Sequence, residues 1–110
     1  MTHDKIQSQC FLWFWNNYPN HRYLMHCNVN SHHRWRIHDM VKLKSIGLVK
    51  GVMDLEFYYK SVLHVFDIKI GNDSFTKEQK MYMSQIESQG GKGYIIKSFE
   101  KFQDIIKSIL

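Results

Sequence analysis

Two runs of alternating apolar residues, separated by only two positions, constrain this chain more than any other feature. Met53 to Tyr59 and Val62 to Ile70 are rich in β-branched and aromatic side chains, and Lys60-Ser61 between them is short enough for a tight hairpin. A turn centred on those two residues pairs Tyr59 with Val62 and, counting outward, Leu55 with Phe66 and Asp54 with Asp67. Directly opposed side chains stand about 4.5–5.5 Å apart at Cβ. Lys69, two residues beyond Asp67, shares its face. The hairpin therefore predicts two carboxylates and an ammonium at one spot.

The rest of the chain supplies what such a hairpin must pack against. Gln7 to Asn17 reads as a helix that stops before Tyr18-Pro19-Asn20, because a residue preceding proline resists the α conformation. Its apolar residues Ile6, Cys10, Phe11, Trp13, Phe14 and Trp15 cover more than one stripe, so the helix is buried on several sides or carries a subunit contact. Phe11-Leu12-Trp13-Phe14-Trp15 suggests a homodimer. A strand is expected over Arg22 to Cys27, a loop over Asn28 to Ile37, and a helix over Met40 to Ile46 with Asp39 as N-cap and Gly47 at its end. Gly71-Asn72-Asp73 breaks the second hairpin strand. Lys77 to Ser88 follows as a helix with Gln79, Tyr82, Met83 and Ile86 along one face. Gly90-Gly91-Lys92-Gly93 turns the chain into a strand over Tyr94 to Lys97, and a last helix carries Phe99, Phe102, Ile105, Ile106 and Ile109 on one stripe. The order α-β-α-β-β-α-β-α is that of a single mixed α/β domain over 1–110, a small central sheet flanked by helices.

Charge is concentrated. Between His21 and Lys50 lie Arg22, Arg34, Arg36, Lys42, Lys44 and Lys50 against Asp39 alone, so this stretch supplies the whole net charge of +5. A patch of that kind suits a polyanion, because cations near phosphates release condensed counterions; a solvated surface is the plain alternative. In His33-Arg34-Trp35-Arg36 the arginines are expected to face nucleic acid while Trp35 packs inward. His21, His26, His32, His33 and His38 fit no zinc spacing. No apolar run approaches the ~20 residues that cross a bilayer, and Gln7, Ser8 and Gln9 interrupt any secretory leader. Cys10 and Cys27 form no CxxC pair and no triad context, which points to a reducing cytoplasm and away from thiol catalysis.

Two like charges directly opposite each other need a cation between them. Lys69 supplies part of it, and a divalent ion supplies it better; hard oxygen ligands select Mg²⁺ or Mn²⁺. Asp54 and Asp67 are the expected metal ligands, with the Ile68 backbone carbonyl as a third, and Lys69 is expected to orient water or steady the transition state. The alternative from spacing alone is a solvated strand face with Lys69 as a surface ion-pair partner.

Three segments carry a resemblance. Gly51-Val52-Met53-Asp54-Leu55, then Phe66-Asp67-Ile68-Lys69, then Thr76-Lys77-Glu78-Gln79 resemble, in order and at similar spacing, the VRR-NUC family of PD-(D/E)xK nucleases. That family reads roughly GxPDL, a strand ending in (E/D)xK, and (S/T)xxQ opening a helix. Leu43-Lys44-Ser45-Ile46-Gly47 and Tyr94-Ile95-Ile96 also resemble its stand-alone, phage-type members. Met53 stands where the family has proline, and Asp67 where glutamate is usual.

The resemblance implies a restriction-endonuclease-like fold, a Mg²⁺ or Mn²⁺ cofactor, and a catalytic set of Asp54, Asp67, Lys69 and Gln79. Thr76-x-x-Gln79 is equally a capping box, and the two roles are compatible. Many members carry an acid on the first helix; here Asp4 is the nearest carboxylate, as a metal ligand or as an N-cap. The function so implied is a metal-dependent DNA endonuclease, structure-selective toward branched DNA or nicking, with Arg34, Arg36, Lys42, Lys44 and Lys50 against the DNA. The alternative is a non-catalytic DNA-binding module that keeps the fold.

Overall fold

The computed structural model describes residues 2–28, 41, 42, 44–46, 49 and 51–110. The expected loop over Asn28 to Ile37, the Asp39 cap, and the DNA-facing residues Arg34, Arg36 and Lys50 lie outside the described residues, Asn28 apart. Of the helix expected over Met40 to Ile46, residues 41, 42, 44 and 45 are helical.

Helix α1 spans His3–Asn17 and starts four residues before the expected Gln7. Thr2 is its N-cap, its side chain accepting from the Lys5 amide at 3.3 Å, so the polar segment before Ile6 is wound into the helix. Ile6, Cys10 and Phe14 form the buried stripe. Pro19 then opens a 3₁₀ helix over Pro19–Leu24, which occupies half of the strand expected over Arg22 to Cys27; only Met25–Cys27 remains as β1. Proline fixes the φ a first helical position needs, and this local preference overrides the β-forming residues behind it.

The hairpin strands are β2, Leu55–Tyr59, and β3, Val62–Ile68. Their pairing runs from Tyr59↔Val62 to Leu55↔Phe66, the register counted from the turn. Lys60 and Ser61 have φ of 49° and 65°, the left-handed pair that a two-residue turn matched to strand twist requires. Helix α2, Lys77–Ser88, has the expected bounds, and Thr76-Gln79 forms a reciprocal capping box. Strand β4 is Lys92–Ile96, two residues earlier than Tyr94, and α3 is Phe99–Ile109.

The sheet order is β1-β2-β3-β4, antiparallel except for the parallel β3–β4 pair. Strand alternation divides its residues between two cores. Leu55, Phe57, Phe66, Ile68 and Ile96 pack with Ile6, Cys10 and Phe14 of α1 and Phe102 and Ile106 of α3. Val65 packs with Met53 and with Met83 of α2. The ring surface of α1 is largely absorbed within the chain. Trp13 stands edge-on to Tyr18, Phe99 and Phe102, Phe11 lies against Trp15, and the Arg22 guanidinium covers Trp15 at 4.9 Å. Leu12 remains 53% exposed. Among the described residues no helix is long and apolar enough to cross a membrane.

Candidate active site

The hairpin register decides where the carboxylates go. Beyond the last ladder pair, Leu55↔Phe66, the next positions are Asp54 and Asp67. Both side chains are fully buried. The entry to β2 is pinned by Asn28, at the end of β1: its amide donates to the Asp54 carbonyl at 3.1 Å, and its side chain donates to the Met53 carbonyl and to Glu56 Oε1, each at 2.9 Å.

Asp54 Oδ2 accepts from the Ile68 amide at 2.8 Å and from His3 Nε2 at 3.0 Å. Asp67 Oδ2 faces the Lys69 ammonium at 3.0 Å and accepts from Gln79 Nε2 at 3.2 Å. Gln79 Oε1 accepts from Lys69 Nζ at 2.9 Å and from the Thr76 amide at 3.0 Å. The one glutamine thus closes the helix cap and ties Lys69 to Asp67. Lys69 and Gln79 are themselves buried, and Lys69 Nζ also lies over the Phe75 ring at 5.8 Å. Gly51 makes this possible. Its φ is +95°, and a Cβ there would come within 2.6 Å of the Glu78 backbone, so only glycine lets the β2 lead-in pass against the first turn of α2.

Burial of two facing carboxylates sets the electrostatics. Asp67 is pushed up to about 6, by burial first and then by the Asp54 charge, with Lys69 opposing. For Asp54, burial pushes upward, but the His3 hydrogen bond and the Ile68 amide outweigh it and hold the carboxyl below its ordinary range. His3 is raised by its hydrogen bond to Asp54, against burial. Asp67 Oδ1 is buried with no hydrogen-bond partner among the described residues. An orphaned carboxylate oxygen beside a second carboxylate is an expensive arrangement unless a proton or a cation joins them.

That donor set fits a hard divalent cation such as Mg²⁺ or Mn²⁺, which binds through one or two carboxylates and keeps waters for the rest of its shell. Among the described residues, no three His, Cys, Asp or Glu side chains are grouped to hold a metal ion. The described residues thus offer two carboxylates, Asp54 and Asp67, to such an ion. The structure brings together Asp54, Asp67, Lys69 and Gln79. Ile68 enters through its amide, which donates to Asp54.

Asp4 is placed differently from expectation. Its side chain is 90% exposed, and its Oδ1 meets His3 Nδ1 at 3.5 Å, not the carboxylate pair. The residue that α1 does bring to the pair, His3, was missed by sequence reasoning; the signal was Thr2, which as N-cap makes His3 the first helical residue. Lys42 and Lys44 are exposed. Of the histidines considered for zinc, His21 lies against the Tyr59 ring at 5.5 Å and His26 is 3.9 Å from Glu56; His32, His33 and His38 lie outside the described residues.

No family model matches the sequence, and no curated protein matches it significantly. Two solved chains match the structure. One, a VRR_NUC domain protein, superposes with a TM-score of 0.77 at 19% identity, over 98% of this chain and 87% of its own. The fold of this chain, helices flanking a four-stranded mixed sheet, is the fold of that VRR_NUC domain protein.

Proposed function

We propose that this protein is a nuclease that hydrolyses DNA phosphodiester bonds with the help of Mg²⁺ or Mn²⁺. The observation that carries the reading is the buried Asp54–Asp67 pair, with the Lys69 ammonium 3.0 Å from Asp67 and Asp67 Oδ1 without a hydrogen-bond partner among the described residues. The motif resemblance to VRR-NUC nucleases and the fold shared with a VRR_NUC domain protein support it.

Asp54 and Asp67 would hold the ion, with the Ile68 carbonyl completing the protein donors. When bound, a divalent cation offsets charge on phosphoryl oxygens and lowers the pKa of a coordinated water. Lys69 adds a fixed positive charge beside the reacting phosphate, where charge builds in the transition state. Gln79 is a positioning residue, hydrogen-bonded to both the ammonium and the Asp67 carboxylate. The basic stretch around Arg34, Arg36, Lys42, Lys44 and Lys50 would grip the backbone. So small a surface favours recognition by shape over base reading, hence a structure-selective enzyme for branched DNA or a nicking one. A homodimer would present two such sites, Leu12 lying at the contact. The free thiols Cys10 and Cys27 suit a reducing cytoplasm.

The test is cleavage of supercoiled plasmid and of a four-way junction with Mg²⁺, Mn²⁺ or EDTA. Metal-dependent cleavage that Asp54→Asn and Lys69→Ala each abolish, in variants that stay folded by circular dichroism, supports the reading. Binding without cleavage under every metal would leave only a DNA-binding module, and cleavage that persists in EDTA would refute metal dependence.

A further inference from the structure

The chemistry above uses four side chains, yet a fifth touches them. His3 is the first residue of α1, its side chain is 17% exposed, and its Nε2 stands 3.0 Å from Asp54 Oδ2. That same oxygen accepts the Ile68 amide at 2.8 Å. A carboxylate cannot donate, so the imidazole carries the proton at Nε2. Behind the ring, Asp4 Oδ1 lies 3.5 Å from Nδ1.

An aspartate carboxylate turns easily about its last torsion, whose energy well is broad. One hydrogen bond to one oxygen leaves much of that freedom. Two donors arriving from different elements, a strand amide and a helix side chain, define where Oδ2 sits and hence the plane of the group. We propose that His3 is the positioning residue for Asp54: with the Ile68 amide it fixes Oδ2, so that the carboxylate meets Asp67 in a single orientation. For the cation, this rests on the reading of Asp54 as a ligand; the orientation itself does not.

Two measurements on the full chain test it. The first needs no metal: amide hydrogen exchange by NMR in EDTA, with the Lys69 amide, which donates to the Ile96 carbonyl at 3.0 Å, as internal reference. His3→Ala loosens Asp54 and raises exchange at Ile68 roughly tenfold relative to Lys69, since a group holding its acceptor is gone. His3→Gln, which keeps a donor at similar reach, restores protection. The second is calorimetric titration with Mn²⁺. His3→Ala weakens affinity by roughly 10- to 100-fold, the usual effect of removing a group that orients a ligand, and His3→Gln recovers most of it.

Unchanged Ile68 exchange, or an equal rise at Lys69, would overturn the proposal, the latter by showing that His3 merely anchors the helix. Tighter Mn²⁺ binding in His3→Ala would overturn it too, making His3 a competitor of the ion. A wild-type protein that takes up no Mn²⁺ would refute the metal reading, while the exchange experiment still decides the positioning. If His3→Ala does not fold, His3→Phe keeps the ring and removes both nitrogens for the same comparison.

Discussion

Asp67→Asn should stabilise this protein while abolishing cleavage. The folded state pays for its second buried carboxylate: Asp67 is raised from 3.8 to about 6 by burial and by Asp54. A folded-state pKa above the unfolded one means that the folded protein binds the proton more tightly. The associated stability is fully present below the unfolded value and is lost as pH rises through the folded one. The gap is about two units, and one unit is worth about 1.4 kcal/mol, so ionised Asp67 costs the apo protein roughly 1–3 kcal/mol at neutral pH. An amide at this position carries no charge to bury. Its oxygen can still accept from Lys69 and Gln79, and its nitrogen can donate toward Asp54 in place of the orphaned Oδ1. Urea denaturation in EDTA between pH 4.5 and 8 reads the result. The variant should gain about 1–3 kcal/mol over wild type at pH 8, and the gain should shrink as pH falls through 6 toward 4. A variant less stable than wild type at pH 8, or a difference flat with pH, would refute the picture of a strained, charge-bearing pair.

Two further substitutions probe the backbone around the site. Lys60 and Ser61 both hold positive φ without being glycine, so Lys60→Asn with Ser61→Gly should raise stability by about 1 kcal/mol and leave cleavage unchanged, measured by thermal unfolding and plasmid nicking. Gly51→Ala places a Cβ 2.6 Å from the Glu78 backbone at a φ of +95°; it should cost about 2 kcal/mol or more. By shifting the first turn of α2 it should also pull Gln79 from Lys69 and lower cleavage, which a crystal structure of the variant would check.

The parts of the fold that could be read in advance are those where local geometry leaves one solution. A two-residue turn has one centre, so the register that pairs Leu55 with Phe66 and leaves Asp54 and Asp67 as the next positions follows from Lys60-Ser61 by counting. Helix α2 is bounded by a capping box and by Gly90, and both act within a few residues. The parts that were not legible depend on competition. Periodicity begins at Ile6, so α1 looked shorter than the Thr2 cap makes it, and His3 fell outside the helix that delivers it. Residues 22–24 have strand-like composition, but Pro19 starts a 3₁₀ turn that carries through Leu24. Strand β4 begins at Lys92 because pairing with His64 recruits residues of low β propensity. At Gly93 a Cβ would run into Met83 Sδ, so the methionine packs directly on the strand backbone.

The same competition explains the ring-rich first helix. From sequence, more than one apolar stripe leaves two outcomes, a partner subunit or further burial within the chain. The 3₁₀ segment and α3 decide for burial at most positions: Tyr18, Phe99 and Phe102 meet Trp13, and Arg22 caps Trp15 while donating to its carbonyl at 2.8 Å. The contacts of Trp13 with Phe99 and Phe102 join residues too far apart to appear in a window of the sequence.

Gln79 shows why a capping motif and a site residue need not be alternatives. A capping glutamine spends its carbonyl oxygen on the Thr76 amide, and that oxygen has a second lone pair. Here the second lone pair takes the Lys69 ammonium, and the amide nitrogen is left to donate to Asp67. The cap fixes the side chain's torsions for structural reasons, and the site uses the rigidity so created. A carboxylate in its place would cap as well but would bring a third negative charge against Asp67, and an alanine would leave the buried Lys69–Asp67 pair without its brace. Glutamine is the side chain that offers acceptor and donor together at this reach without charge, so the identity of the residue follows from the electrostatics of the pair it serves.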